Sequence, residues 1–193
     1  MPPVRLLRAL SDGMIRIDRV LLMVLIAAIA FFVLINVGFR MFRITLAWAD
    51  ELAKLSMILA AFPGASLMLR ARIDPAVKIV QEMLRGPVVC LLRIVVSMVA
   101  SAFGVILIWL CIRWLDPMGL WAAGFDIGTF EMTTFNFVYT DVTPILQWRF
   151  IWFYLIMPWF ALTITVHALT NLAEDLGLID PRPLAQELQP GEG

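Results

Sequence analysis

An all-α membrane protein with four transmembrane helices is the fold class this sequence predicts, and three observations carry it. The chain is 62% hydrophobic, against about 45–50% for a soluble domain. Its mean hydropathy is +0.90. Four apolar stretches divide its 193 residues, each near or above the roughly 20 residues that cross a bilayer core. Little chain is left for a soluble domain, so a single integral membrane domain over 1–193 is expected. The net charge is zero, and the placement of the charges says more than their sum.

Residues 3–19 interleave Arg5, Arg8, Arg16 and Arg19 with Leu6, Leu7, Leu10, Met14 and Ile17. The apolar members follow helical spacing. The pattern predicts an amphipathic helix in the headgroup plane, with Gly13 its weakest point. The first span is 20–39, with Asn36 as its one strongly polar side chain. It exceeds a signal-peptide core of about 7–15 residues and reads as a retained helix. Arg40 and Arg43 mark the turn into the second span, 48–69. Trp48 suits a membrane interface, and Pro63-Gly64 predicts a kink.

Asp74-Pro75 supplies a helix start, an acceptor followed by proline. Val77, Val80 and Leu84 then form one apolar face, so a second interfacial helix is expected over 74–85. The third span, 88–114, exceeds one membrane thickness and must tilt or protrude. An outer loop over 115–148 has four acids and no lysine or arginine. Its pattern does not decide between strand and short helix. The fourth span, 150–172, carries Pro158 as a kink point. Nine lysines and arginines lie in the N-terminal stretch and at 70–93. The positive-inside rule therefore puts both termini and the 70–93 loop in the cytoplasm, an N-in/C-in topology. Arg5, Arg8, Arg16, Arg19, Arg70, Arg72, Lys78 and Arg85 are then expected to anchor the chain to membrane phospholipid.

Chemistry-bearing residues are few. Cys90 and Cys111 are 21 residues apart on one helix, about 30 Å, too far for a disulfide. His167 is the one histidine and reads as a hydrogen-bonded or interfacial group; alone it cannot supply paired haem ligands. Ser97 and Ser101 have no accompanying base and suit backbone hydrogen bonding or close helix approach. No metal-ligand spacing and no phosphate loop appear. An enzyme, a cofactor, a metal site and a nucleic-acid partner are therefore not expected. The sharpest local feature is Trp48-Ala-Asp-Glu-Leu-Ala-Lys. Asp50 or Glu51 can pair with Lys54 on one helix face. Alternatively, a carboxylate there faces another protein chain, because charges in membrane helices point at protein or water. Trp48, Asp50, Glu51 and Lys54 are the candidate partner-interface residues.

In order and topology the chain resembles the small membrane subunit of TRAP transporters, the DctQ-type family. The resemblance runs through N-V-G-F-R from Asn36, W-A-D-E-L-A-K from Trp48, G-A-S-L-M-L-R from Gly64 and A-R-I-D-P from Ala71. Y-L-I-M-P from Tyr154 matches the family's last-span pattern. Asp50 stands where glutamate is usual, Arg72-Ile73 replaces a histidine-containing pair, and the 115–148 loop is longer than the family norm. The resemblance implies a non-catalytic scaffold in the bacterial inner membrane. It would brace a large multi-span permease during sodium-coupled uptake of an organic acid, delivered by a periplasmic substrate-binding protein. A four-span subunit of a tricarboxylate-type tripartite transporter and a membrane anchor of a redox complex are the alternatives.

Overall fold

The computed structural model describes residues 2–73 and 87–180. Four helices in this range are long and apolar enough to cross a membrane. The first is α1 (Pro2–Met41) and the second is α2 (Ala47–Ala71). The third is α3 (Pro87–Leu115). Two short helices follow in the 115–148 loop, α4 (Pro117–Ala122) and α5 (Ile127–Thr134). One turn, α6 (Ile151–Tyr154), then leads into the last long helix, α7 (Ile156–Asp175). No strand occurs among the described residues; a single antiparallel bridge joins Val142 and Arg149.

α7 is the hub. It packs along α3 and also touches α1 and α2, while α1 and α2 pair along their lengths. The interior is the reverse of a soluble core. Its buried apolar side chains are mainly small, such as Ala49, Ala53, Ala161 and Ala168. Serines, threonines and charged groups join them inside, while Phe31, Leu34, Ile58, Phe103 and Trp109 face outward. Only 6% of the most apolar stretch of α1 is buried. Lipid tails solvate large apolar side chains as well as a protein core does. Helix association in a bilayer therefore rests on close packing of small residues and on polar contacts.

One contact shows how close the approach is. A Cβ on Gly104 of α3 would lie 2.9 Å from Thr165 Cα on α7. Backbone meets backbone there, and only glycine fits.

The N-terminal region departs from expectation. Residues 3–19 are helical, yet they are no separate surface helix: α1 runs unbroken through Gly13 into the first span. At about 1.5 Å per residue its 40 residues reach roughly 60 Å, twice the hydrocarbon thickness. The side buried is Ser11, Ile15 and Asp18, at i, i+4 and i+7. Ile15 packs with Leu67 and Ala71 of α2. The face expected to dock, with Leu6, Leu10 and Ile17, is exposed. The helix expected over 74–85, with Lys78 and Arg85, lies outside the described residues.

Proline acts differently in two spans. Pro63 is buried inside an uninterrupted α2. Pro158 instead splits the fourth span, because its ring nitrogen has no N–H for the Tyr154 carbonyl. The helix breaks at Leu155 between α6 and α7.

Asp116 and Asp126 cap α4 and α5 in the 115–148 loop. The Thr129 hydroxyl, with the Thr129 and Gly128 amides, holds the Asp126 carboxyl below its ordinary range.

Candidate functional site

The densest polar chemistry lies where α2 ends and α7 ends. Arg70 is 2% exposed in the last turn of α2. Its guanidinium grips Glu174 through two contacts, Nη2 to Oε1 at 2.7 Å and Nη1 to Oε2 at 3.2 Å. Nη1 also donates to Asn171 Oδ1 at 2.7 Å, and Nε donates to Ser11 Oγ at 3.1 Å. The Ser11 hydroxyl sits 2.9 Å from His167 Nδ1. Because an arginine N–H can only donate, the Ser11 hydroxyl accepts from Arg70. Asn171 Nδ2 returns a hydrogen bond to the Leu69 carbonyl at 2.8 Å.

Arg72 extends the cluster. It closes α2 in the left-handed conformation, φ 56°, and its N–H reaches back to Leu69. The turn directs its side chain to Asp175 (Nη1 to Oδ1, 2.5 Å) and to the Asn171 carbonyl (2.9 Å). Ser97 on α3 donates to the other Asp175 oxygen at 2.8 Å. The network thus takes Ser11 from α1, Arg70 and Arg72 from α2, Ser97 from α3, and four side chains from α7. All four spans meet in one clamp. A fork-to-carboxylate contact of this kind fixes orientation as well as adding energy.

A second polar contact lies further along α1. Asp18 is fully buried, and Trp159 Nε1 donates to its Oδ1 at 2.8 Å. Asp18→Asn keeps an acceptor for the indole, whereas Asp18→Leu strands it. The expected loss in detergent thermal unfolding is about 1–3 kcal/mol for Leu and under about 1 for Asn. Equal losses for the two variants would contradict the indole contact as the reason for the aspartate.

The Trp48 stretch divides between outside and inside. Asp50 and Lys54 form an exposed ion pair at 2.7 Å. Trp48 is 38% exposed and meets Phe32 edge-on, with ring centroids 6.4 Å apart. Glu51 turns inward. Its two oxygens accept from the Ile145 and Leu146 amides at 3.1 and 2.8 Å. Through this contact α2 holds the last part of the 115–148 loop. Glu51→Ala should release that turn, with about tenfold or faster amide exchange at Ile145 and Leu146 for each 1.4 kcal/mol lost. Unchanged exchange at both amides would rule out Glu51 as the tether.

The basic residues also divide. Arg5 and Arg16 are exposed, and Arg8 Nη1 donates to the Asp180 carbonyl at 3.2 Å. Arg19 is half-buried. Arg70 is a correction to the surface-anchoring expectation: it is sealed inside the bundle, because Glu174, Asn171 and Ser11 satisfy it there. Arg72 is half-buried against Asp175. Sequence reasoning missed Ser11, Asp18, Asn171 and the pairing of Glu174 and Asp175. A usable signal was present, since Arg70-Ala-Arg72 and Glu174-Asp175 end two spans with opposite charges. His167 is buried and bonded to Ser11. Ser101 donates to the Ser97 carbonyl at 2.7 Å.

Among the described residues, no group of three histidine, cysteine or acidic side chains is placed to hold a metal. Within the clamp every charged side chain is met by one of opposite sign, an arrangement suited to joining helices.

No curated protein and no solved structure matched the chain. One family model did, that of the tripartite ATP-independent periplasmic transporters, DctQ component, over residues 29–178. The match spans three of the four long helices, the last third of α1 and the whole 115–148 loop. The DctQ component works with a large permease and a periplasmic binding protein. With four membrane-crossing helices and a match over most of its length, the chain belongs to the DctQ family and is a small, multi-pass membrane subunit of a TRAP transporter.

Proposed function

We propose that the chain is the static brace of its transporter. In this reading it holds the large permease in the bacterial inner membrane while that permease carries an organic acid inward with sodium. The observation that supports the reading is the four-way clamp of Arg70, Arg72, Glu174 and Asp175. A subunit that stays still while its partner moves needs helices locked to one another, and the clamp ties all four spans through buried, charge-assisted contacts. The N-in/C-in topology puts the clamp at the cytoplasmic side and the acidic outer loop on the side from which a binding protein delivers substrate.

Trp48, Asp50 and Lys54 present the partner-facing surface in this proposal. Glu51 shapes that surface from behind by holding the outer loop. The exposed arginines of α1, Arg5 and Arg16, contact phospholipid headgroups. The unburied apolar faces of the spans supply packing area for the permease.

The test is uptake in proteoliposomes. The permease and binding protein are reconstituted with and without this chain, under an inward sodium gradient. A brace predicts that omitting the chain lowers sodium-driven organic-acid uptake at least tenfold while leaving binding-protein affinity for substrate unchanged. Full uptake by the permease without the chain would overturn the reading.

A further inference from the structure

A cleft of about 240 Å³ opens between α2 and α3, with α7 as its floor. Ala65 and Met68 of α2 form one wall, Val96 and Ala100 of α3 the other, and Ala168 of α7 lies at the base. The small side chains leave a trough where larger ones would have closed the seam. At one end the lining changes character: Arg72 and Arg93, from two different helices, flank the mouth beside Ser97 and Asn171. Arg93 is exposed, and the Arg72 side chain keeps 31% of its surface. A guanidinium has five N–H donors; Arg72 commits one to Asp175 and one to the Asn171 carbonyl.

The order of chemistry along the cleft is that of an amphiphile. Arg93 lies six residues into α3, about 9 Å from its start. Ala100 is a further seven residues on, about 10 Å deeper. A phosphate between the two arginines would sit at the membrane interface, where arginine forks bind phosphate well. An acyl chain from it would run inward along the alanines.

We propose that this cleft binds one anionic phospholipid, its phosphate between Arg72 and Arg93 and one acyl chain along Ala65, Ala100 and Ala168. The proposal rests on the membrane-spanning fold and not on the bracing reading. A lipid seated there would fill the seam between α2 and α3 and join them through a molecule of the membrane itself.

The test uses the full chain purified in mild detergent, stripped of lipid and titrated with dioleoyl phosphatidylglycerol. Native mass spectrometry counts the bound lipid. Arg93→Gln removes one phosphate contact, and Ala100→Phe fills the trough without touching a charge. Arg113→Gln, exposed at the opposite end of α3, is the control, and thermal unfolding without added lipid reports whether each variant folds. The expected result is one tightly held lipid per chain, with affinity lowered about tenfold, or 1.4 kcal/mol, in Arg93→Gln and in Ala100→Phe but not in Arg113→Gln. Equal lipid retention in folded Arg93→Gln and Ala100→Phe would overturn the proposal. So would equal protection by inorganic phosphate, which has no acyl chain. Loss of the lipid when the chain is isolated together with its permease would overturn it as well, by giving the cleft to the partner.

Discussion

Arg70→Met is expected to be the most damaging single substitution in the chain, lowering stability by about 3–5 kcal/mol through an uncompensated buried charge. Glu174 is 2% exposed at its side chain, and removing Arg70 leaves it only the more distant, half-buried Arg72, at 3.6 Å. Glu174→Leu should cost a similar amount, for it strands Arg70 in turn. The double variant Arg70→Met, Glu174→Leu removes both charges and should recover most of the loss, because apolar replacements of a buried pair are often tolerated. Thermal unfolding in detergent of the three variants gives the coupling directly. Additive losses, with the double variant the worst, would show that the two side chains act independently and that the clamp is not a unit.

Gly104→Val is expected to separate α3 from α7. Any Cβ there meets the Thr165 backbone, and backbone cannot move aside as a flexible side chain can. Overpacking of a tight contact costs about 1–3 kcal/mol in general; here the added volume also displaces Ser97 from Asp175, so loss toward the upper end is expected. Cysteine pairs placed across the α3–α7 seam should cross-link less readily in Gly104→Val than in the parent chain. Unchanged cross-linking and melting would mean that the seam is looser than its geometry.

The spans were legible because lipid imposes a length and a composition. The expected 48–69 and 88–114 lie within two residues of α2 and α3 at each end. Two features were less legible. The buried stripe of α1 is Ser11, Ile15 and Asp18, which in hydropathy terms reads as a solvated face. In a bilayer the polar side turns inward toward its partners, while Leu6, Leu10 and Ile17 stay on the exposed side. Gly13 alone, at about 1 kcal/mol, is too weak to end a helix embedded between such contacts. The 115–148 loop held a further signal. Asp116-Pro117 has the same acceptor-then-proline start as Asp74-Pro75, and Asp116 does cap α4 through the Gly119 amide at 3.0 Å.

Glu51 shows why the site was harder to read than the fold. One-dimensional spacing offers Lys54 as its partner, and Asp50 takes that lysine instead. The amides that Glu51 binds are more than ninety residues away in the chain, and no local pattern announces them. The same holds for Ser11 and His167, 156 residues apart.

The central claim, that the chain is the bracing subunit of a TRAP transporter, is tested most directly by isolating the tagged chain from its native membranes in mild detergent and identifying what accompanies it by mass spectrometry. The account predicts a large multi-span permease in one-to-one ratio, retained in the parent chain and lost in Arg70→Met as the bundle loosens. A chain that purifies alone, or only with copies of itself, would contradict it.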